Sequence, residues 1–279
     1  MPLEHASSGD GVSLPDAPQA IRPTVFVRER LPGVMLPVTG VIVFIVLWWF
    51  AIRFFHIKPY IAPSPDAVAA TLFNKRWILL QNLWPTAVEA ICGFLLGNGM
   101  AIVVATVFVH SRTLERAFFP IMVLLNSVPV VAKAPILVLL LGNGLAPKIG
   151  IAAIVCFFPT LVNMARGLES VNPQALELMH VLSATRGEVF TRLRLPTAVP
   201  YLFSALKVAA STSVVGAIVG EWIGSQYGIG ALIIQATYNF DSRLLYATVI
   251  CGSVLSVLFF SIIRTAERVC ARRYETRER

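Results

Sequence analysis

Among the charged side chains inside or against long apolar runs of this 279-residue sequence, Glu89, Lys133, Lys207 and Glu221 are the ones that could do chemistry. Burying such a group away from water is expensive, so it either finds a partner or faces a path for polar molecules. Glu221 stands between Gly220 and Gly224 at the end of one apolar run. Together with Asn126 and Lys133 it forms the set of candidate path-lining groups. Lys133 suits an anionic solute and Asn126 offers hydrogen bonds. The plainer readings are an ion pair for each charge and, for Asn126 and Asn163, amides that hold helices together. Enzymatic sites are missing: His5, His56, His110 and His180 fall on different segments without metal-ligand spacing. No Gly-x-Ser-x-Gly elbow, His-Glu-x-x-His helix or phosphate-binding Gly-x-x-x-x-Gly-Lys-Ser/Thr loop occurs. No catalytic residue, metal or cofactor is expected. Cys92, Cys156, Cys251 and Cys270 form no Cys-x-x-Cys pair and read as small apolar residues.

The elements that position these groups are membrane helices. Residues of the set AVILMFWYC make up 56% of the chain and charged residues 14%, against roughly 25% in soluble domains. With a mean hydropathy of +0.73, the surface must be apolar as well as the core. Soluble enzymes, disordered chains and nucleic-acid binders are excluded, and the net charge of +8 is matched to lipid headgroups instead. A span needs about 20 apolar helical residues. Uninterrupted runs cover 34–52, 90–109, 149–165 and 244–263, and two further runs, 117–141 and 198–220, contain Lys133 and Lys207. In the last of these, nine Leu, Ile, Val and Phe residues favour insertion by about 3–5 kcal/mol. A central lysine costs about 2.5–3.5 kcal/mol, so the span stands, with Lys207 facing protein or headgroups. Six spans are expected. With both termini inside, 15 basic residues fall on inner segments against 6 on outer ones, which sets both termini in the cytoplasm. Residues 1–33 read as a polar cytosolic tail without a secretory signal, 34–268 as the membrane domain and 269–279 as a second cytosolic tail.

Pro120, Pro129 and Pro135 interrupt the third span. Proline frees backbone carbonyls, which need protein or water partners, so this region either lines a cavity or is a kinked packing helix. Gly93 and Gly97 are spaced for close helix packing in the second span.

One inner loop, 166–196, is long. Asn172-Pro173 is a helix start, and Leu176, Leu178, Met179 and Leu182 form an apolar stripe after it. Thr185 and Glu188 are spaced as a capping box for a second short helix. An exposed apolar stripe needs a partner, and either headgroups or a groove of a cytosolic protein would serve.

This loop resembles the signature of the permease subunits of binding-protein-dependent ABC importers: Glu-Ala-Ala, three residues, Gly, nine residues, Ile, any residue, Leu-Pro. Glu177 takes the first position, Ser183 the glycine, Leu193 the isoleucine, and Leu195-Pro196 close it. Leu178-Met179 replace the two alanines, and Ser183 fits a positive-φ turn less easily than glycine. Ala62-Pro63-Ser64-Pro65, residues 215–224 and Tyr227-Gly228-Ile229-Gly230 are similar to the nitrate, sulfonate and taurine branch, which includes permeases for thiamine pyrimidines and riboflavin. The resemblance implies an all-α polytopic bundle of six transmembrane helices with a cytosolic coupling-helix loop, in the cytoplasmic membrane of a bacterium. It implies a subunit that does not hydrolyse ATP itself. Its partners would be two cytosolic ATP-binding subunits, an outer substrate-binding protein, a second permease copy in a homodimer, and membrane lipid. Residues 172–196 would couple it to the ATPase, with Leu178, Met179 and Leu182 as the buried anchors. A secondary transporter working without an ATPase is the rival reading.

Overall fold

The computed structural model describes residues 35–275; the expected tail 1–33 lies outside them, as do the last four residues of the tail 269–279. Among the described residues every regular element is helical. The described residues up to Ile45, the first part of α1 (Met35–Phe54), belong to one unit, and those from Val46 onward to the second. In the second unit α2 (Pro65–Asn74) follows the end of α1, started by Pro65 at its first turn, where a missing N–H costs nothing. Then come α3 (Arg76–His110), α4 (Arg112–Ser127), α5 (Val130–Leu141) and α6 (Leu145–Glu169). The loop helices α7 (Pro173–Val181) and α8 (Arg186–Val189) lead to α9 (Leu195–Glu221), α10 (Ile229–Tyr238) and α11 (Ser242–Glu275). The expected second tail begins as the end of α11, which stays helical to Glu275.

The core is built from α3, α6 and α9, and small residues bring them together. A Cβ at Gly93 would collide with Ala152, and one at Gly97 with the Ala153 backbone, so the expected close packing of the second span is against α6. Further along, Ala101, Ala105 and Phe108 share a buried cluster with Leu161, Met164 and Leu168. The order of these contacts makes α3 and α6 parallel. Helix α9 is antiparallel to α6: Gly167 lies against Ala198 and Tyr201, while Gly220 lies against Lys148.

Two parallel spans joined in sequence require one return crossing between them. That crossing is α4 and α5 together, bent by 102° at Val128-Pro129. At 1.5 Å per residue, 16 and 12 residues reach only about 24 and 18 Å, so neither crosses a core of about 30 Å alone. Val128 is extended (φ −68°, ψ 128°), as a residue before proline prefers, and this breaks the helix. The other five spans are α1, α3, α6, α9 and α11, each a helix long and apolar enough to cross. Counting the bent pair as one span makes six, with the third a bent pair rather than one kinked rod. Lys207 meets Glu267 of α11 through both carboxylate oxygens at 2.9 and 2.8 Å, which is how the fifth span carries its lysine.

Candidate functional site

The 166–196 loop is a fixed structure. Asn172 Oδ1 accepts the Gln174 N–H at 2.9 Å and Pro173 opens α7, as the sequence implied. The helix ends in a Schellman turn: Ser183 N–H bonds the His180 carbonyl and Ala184 N–H bonds the Met179 carbonyl, both at 2.9 Å. Ser183 sits at φ +54°, the left-handed conformation in which glycine would be unstrained. Thr185 and Glu188 complete the capping box: Glu188 Oε2 accepts the Thr185 N–H at 2.9 Å, and Thr185 Oγ1 accepts the Glu188 N–H at 3.3 Å. These bonds, with the threonine hydroxyl, hold the Glu188 carboxyl below the usual carboxylate range.

Two expectations change here. The second short helix is not separate: α8 runs through a π turn, Phe190–Arg194, straight into α9. Pro196 has no N–H for the Arg192 carbonyl, and Leu195 N–H reaches back five residues to Phe190 instead. The apolar face also differs. Leu178, Val181 and Leu182 are 59%, 81% and 66% exposed, whereas Met179 is half-buried and turns inward. Positions i, i+3 and i+4 share one helix face, so Val181 belongs to the stripe and Met179 to its back. Glu177 is exposed beside that face, Leu193 is half-buried, and Leu195 is exposed. Arg194 anchors the loop by donating to the Leu168 carbonyl at 3.0 Å.

The candidate path residues separate into two places. Asn126 and Lys133 line one cavity of about 460 Å³ between α3, α4, α5 and α6, otherwise walled by residues such as Met100, Met122, Ile154 and Phe157. Lys133 has no carboxylate within ion-pair distance among the described residues, and the α4–α5 break opens beside it.

Glu221 does not join them. It is 1% exposed and is used to fix the segment that follows α9. Thr86 Oγ1 donates to Glu221 Oε1 and Gly230 N–H to Oε2, each at 2.6 Å. The Gly228 and Ile229 N–H groups bond Asn82 Oδ1 and Thr86 Oγ1 at 2.9 and 2.8 Å. Gly228 has φ +124°, and a Cβ there or at Gly230 would strike the Glu221 side chain or the Ile218 carbonyl. The Tyr-Gly-Ile-Gly phrase is therefore a cradle for a carboxylate. Beside it Glu89, 0% exposed, faces Lys148 Nζ at 3.2 Å, and Lys148 also donates to Ser225 Oγ at 2.7 Å. The plainer reading of Glu221 as a partnered structural carboxylate describes this arrangement, although the ion pair is made by its neighbour Glu89. Asn82 and Thr86 were missed in the sequence, yet with Glu89 they form a polar stripe at i, i+4 and i+7 of an apolar helix, which is a legible signal.

Residues 97–275 match the family model described as binding-protein-dependent transport system inner membrane component. The chain is 34% identical over 227 residues to a probable ABC transporter permease protein of Haemophilus influenzae, covering 81% of this chain and 93% of that one. It is 30% identical over 252 residues to the formylaminopyrimidine transport permease protein ThiX of Halalkalibacterium halodurans, covering 90% and 95%. The riboflavin transport system permease protein RibX of Chloroflexus aurantiacus is 28% identical over 247 residues, covering 88% and 92%. In fold, the chain is similar to a chain of the inward-facing MetNI methionine ABC transporter, with a TM-score of 0.61 over 70% of this chain and 97% of that one, at 18% identity.

Proposed function

The chain belongs to the binding-protein-dependent transport system inner membrane components, and from that premise we propose that it works as one of two identical permease subunits whose 172–196 loop is driven by cytosolic ATPases. Membership makes it a multi-pass inner-membrane permease subunit of an ABC importer for a small solute, with ATP hydrolysis on a separate subunit and a substrate-binding protein as a further partner. The orientation we assign puts both termini and the loop in the cytoplasm, supported by the basic residues, 15 against 6.

One observation carries the coupling role: α7 presents Leu178, Val181 and Leu182 outward, and its end is locked by the Schellman turn and the capping box. An apolar helical face held rigidly outside the membrane is the form in which helices enter a partner's groove. Rigidity matters because a loop that transmits force must not yield before the spans do, and α8 runs without interruption into α9. Movement of the loop is thereby passed to the fifth span.

The solute path we assign includes Asn126 and Lys133, with the α4–α5 break supplying free backbone groups beside them. Glu221 acts on it at second hand, by holding the 228–230 segment. Relatives named for formylaminopyrimidine and for riboflavin support a small polar organic cargo.

The test is a cysteine placed at Leu182 in an otherwise cysteine-free chain, co-expressed with its ATPase carrying cysteines around its surface groove. Disulfide formation there, altered by ATP, is expected. Efficient membrane insertion without any cross-link in any nucleotide state overturns the docking assignment.

A further inference from the structure

Membrane proteins of this orientation avoid basic residues on the outer side, so the six that remain there need reasons. Two have carboxylate partners: Lys75 meets Asp241 at 2.8 Å and Lys148 meets Glu89. Arg76 donates to the Phe73 carbonyl at 3.0 Å and lies over the Phe73 ring. The other three, Arg53, Lys58 and Arg243, have no carboxylate within ion-pair distance among the described residues, and all three line one cleft of about 760 Å³. His56 joins them, and Asp66 is the one acidic residue in the lining. Asp241 also feels Arg243, but its carboxylate is taken by Lys75 and by the Leu244 N–H.

The depth of the cleft is fixed by the spans. Arg53 is in the last turn of α1 and Arg243 is the second residue of α11, so two antiparallel spans bring their charged ends to the same membrane face. Trp48 of α1 stacks on Tyr246 of α11 with ring centroids 5.8 Å apart, which holds these ends together. Around the cleft Trp49, Phe54, Phe55 and Tyr60 are exposed, the aromatic belt of a membrane–water boundary. At that level the abundant anion is a lipid phosphate. Arg53 lies over the Trp49 ring and Lys58 over the Tyr60 ring, each 5.9 Å from the centroid, which leaves their charge unneutralised. Three cations without a carboxylate partner against one carboxylate leave the cleft positive, and guanidinium and ammonium groups are the donors that hold phosphate oxygens best.

We propose that this cleft is a binding site for the phosphodiester headgroup of an anionic lipid, held by Arg53, Lys58 and Arg243. The site is independent of the coupling and cargo assignments. The lipid ties the end of the first span to the start of the last.

The full-length protein is extracted in detergent, washed, and its retained lipid measured by mass spectrometry, then reconstituted in nanodiscs of phosphatidylcholine with or without phosphatidylglycerol. The wild type is expected to retain phosphatidylglycerol selectively. Near an anionic surface each basic residue is worth roughly a fivefold preference, so the triple variant Arg53→Gln, Lys58→Gln, Arg243→Gln is expected to lose on the order of a hundredfold in selectivity. Lys58→Gln alone, in an exposed turn, gives a several-fold loss without touching a span. Asp66→Asn removes the opposing charge and is expected to raise retention, and Arg76→Gln, outside the cleft, to leave it unchanged. Unchanged selectivity in the triple variant, or the same loss from Arg76→Gln, overturns the proposal. Binding of inorganic phosphate to lipid-free wild type, with no preference between the nanodiscs, assigns the cleft to a soluble anion and overturns it equally.

Discussion

Lys148 on α6 stands 3.2 Å from the Glu89 carboxylate on α3, and no other basic group pairs with the buried carboxylates of Glu89 and Glu221 among the described residues. Lys148 is the one cation beside Glu89 among the described residues, and the Glu221 side chain is its other polar neighbour.

Removing Lys148 should therefore do more harm than removing Glu89. An uncompensated buried charge costs about 3–5 kcal/mol, while a neutral isostere avoids most of it. Lys148→Met is expected to lower the thermal midpoint in detergent sharply, and Lys148→Met with Glu89→Gln to recover most of the loss. Fluorescence-detected size exclusion over a temperature ramp measures both. Equal destabilisation by the double variant would show that Lys148 acts through Ser225 and packing instead.

That ion pair marks where the sequence was legible and where it was not. The spans were readable because a helix must satisfy its own backbone in lipid, and long apolar runs have no alternative. Caps were readable because Asn172-Pro173 and Thr185…Glu188 act within three residues. The bend at Pro129 was half readable: proline announces a break, but the 102° angle is set by packing against other helices. Partners far apart in the chain were not readable. Nothing near Glu221 points to Thr86, 135 residues away, and nothing near Lys207 points to Glu267. The stripe on α7 reads more broadly in the sequence, since Met179 is apolar whichever way it faces, and only the packing of the folded chain makes it half-buried.

Ser183 itself is strained. A non-glycine residue in the left-handed region costs about 1–2 kcal/mol, and the Schellman turn requires that conformation here. Ser183→Gly is expected to stabilise the loop by about 1 kcal/mol and to slow limited proteolysis between Leu182 and Thr185. Faster cleavage in the variant would mean that the serine hydroxyl supplies a contact worth more than the strain.

The Lys75–Asp241 pair predicts an acid-side effect. Lys75 and the Leu244 N–H hold the Asp241 carboxyl below its ordinary range near 4. A depressed folded-state value gives stability that is present above the unfolded value and lost as pH falls through the folded one. Both side chains are about one-third exposed, at 39% and 34%, so screening keeps the contribution under about 1 kcal/mol. Asp241→Asn should lower the thermal midpoint slightly at pH 7, and the difference should vanish as pH falls through the depressed folded value and the native carboxylate is neutralised too. A constant offset at every pH would assign the effect to the Leu244 cap alone.

The two faces of α7 make the most discriminating comparison, because adjacent apolar residues are expected to behave oppositely. Val181 and Leu182 are exposed, and Met179 is half-buried. Placing a charge in an apolar docking groove removes a hot spot and leaves an unpaired buried ion, costing upwards of about 2 kcal/mol. At 1.4 kcal/mol per factor of ten, Val181→Asp or Leu182→Asp should weaken ATPase association by more than an order of magnitude. Expression and thermal stability of the permease should be unaffected, since neither side chain is part of its core. Met179→Asp should do the reverse: it charges the side of α7 that packs inward, so the permease loses stability first, and ATPase retention falls only as the folded fraction falls. Co-purification with the ATPase, normalised to monodisperse permease, separates the two. If Met179→Asp abolishes retention in fully stable protein while Val181→Asp does not, the docking face is the opposite one and the loop must turn on binding.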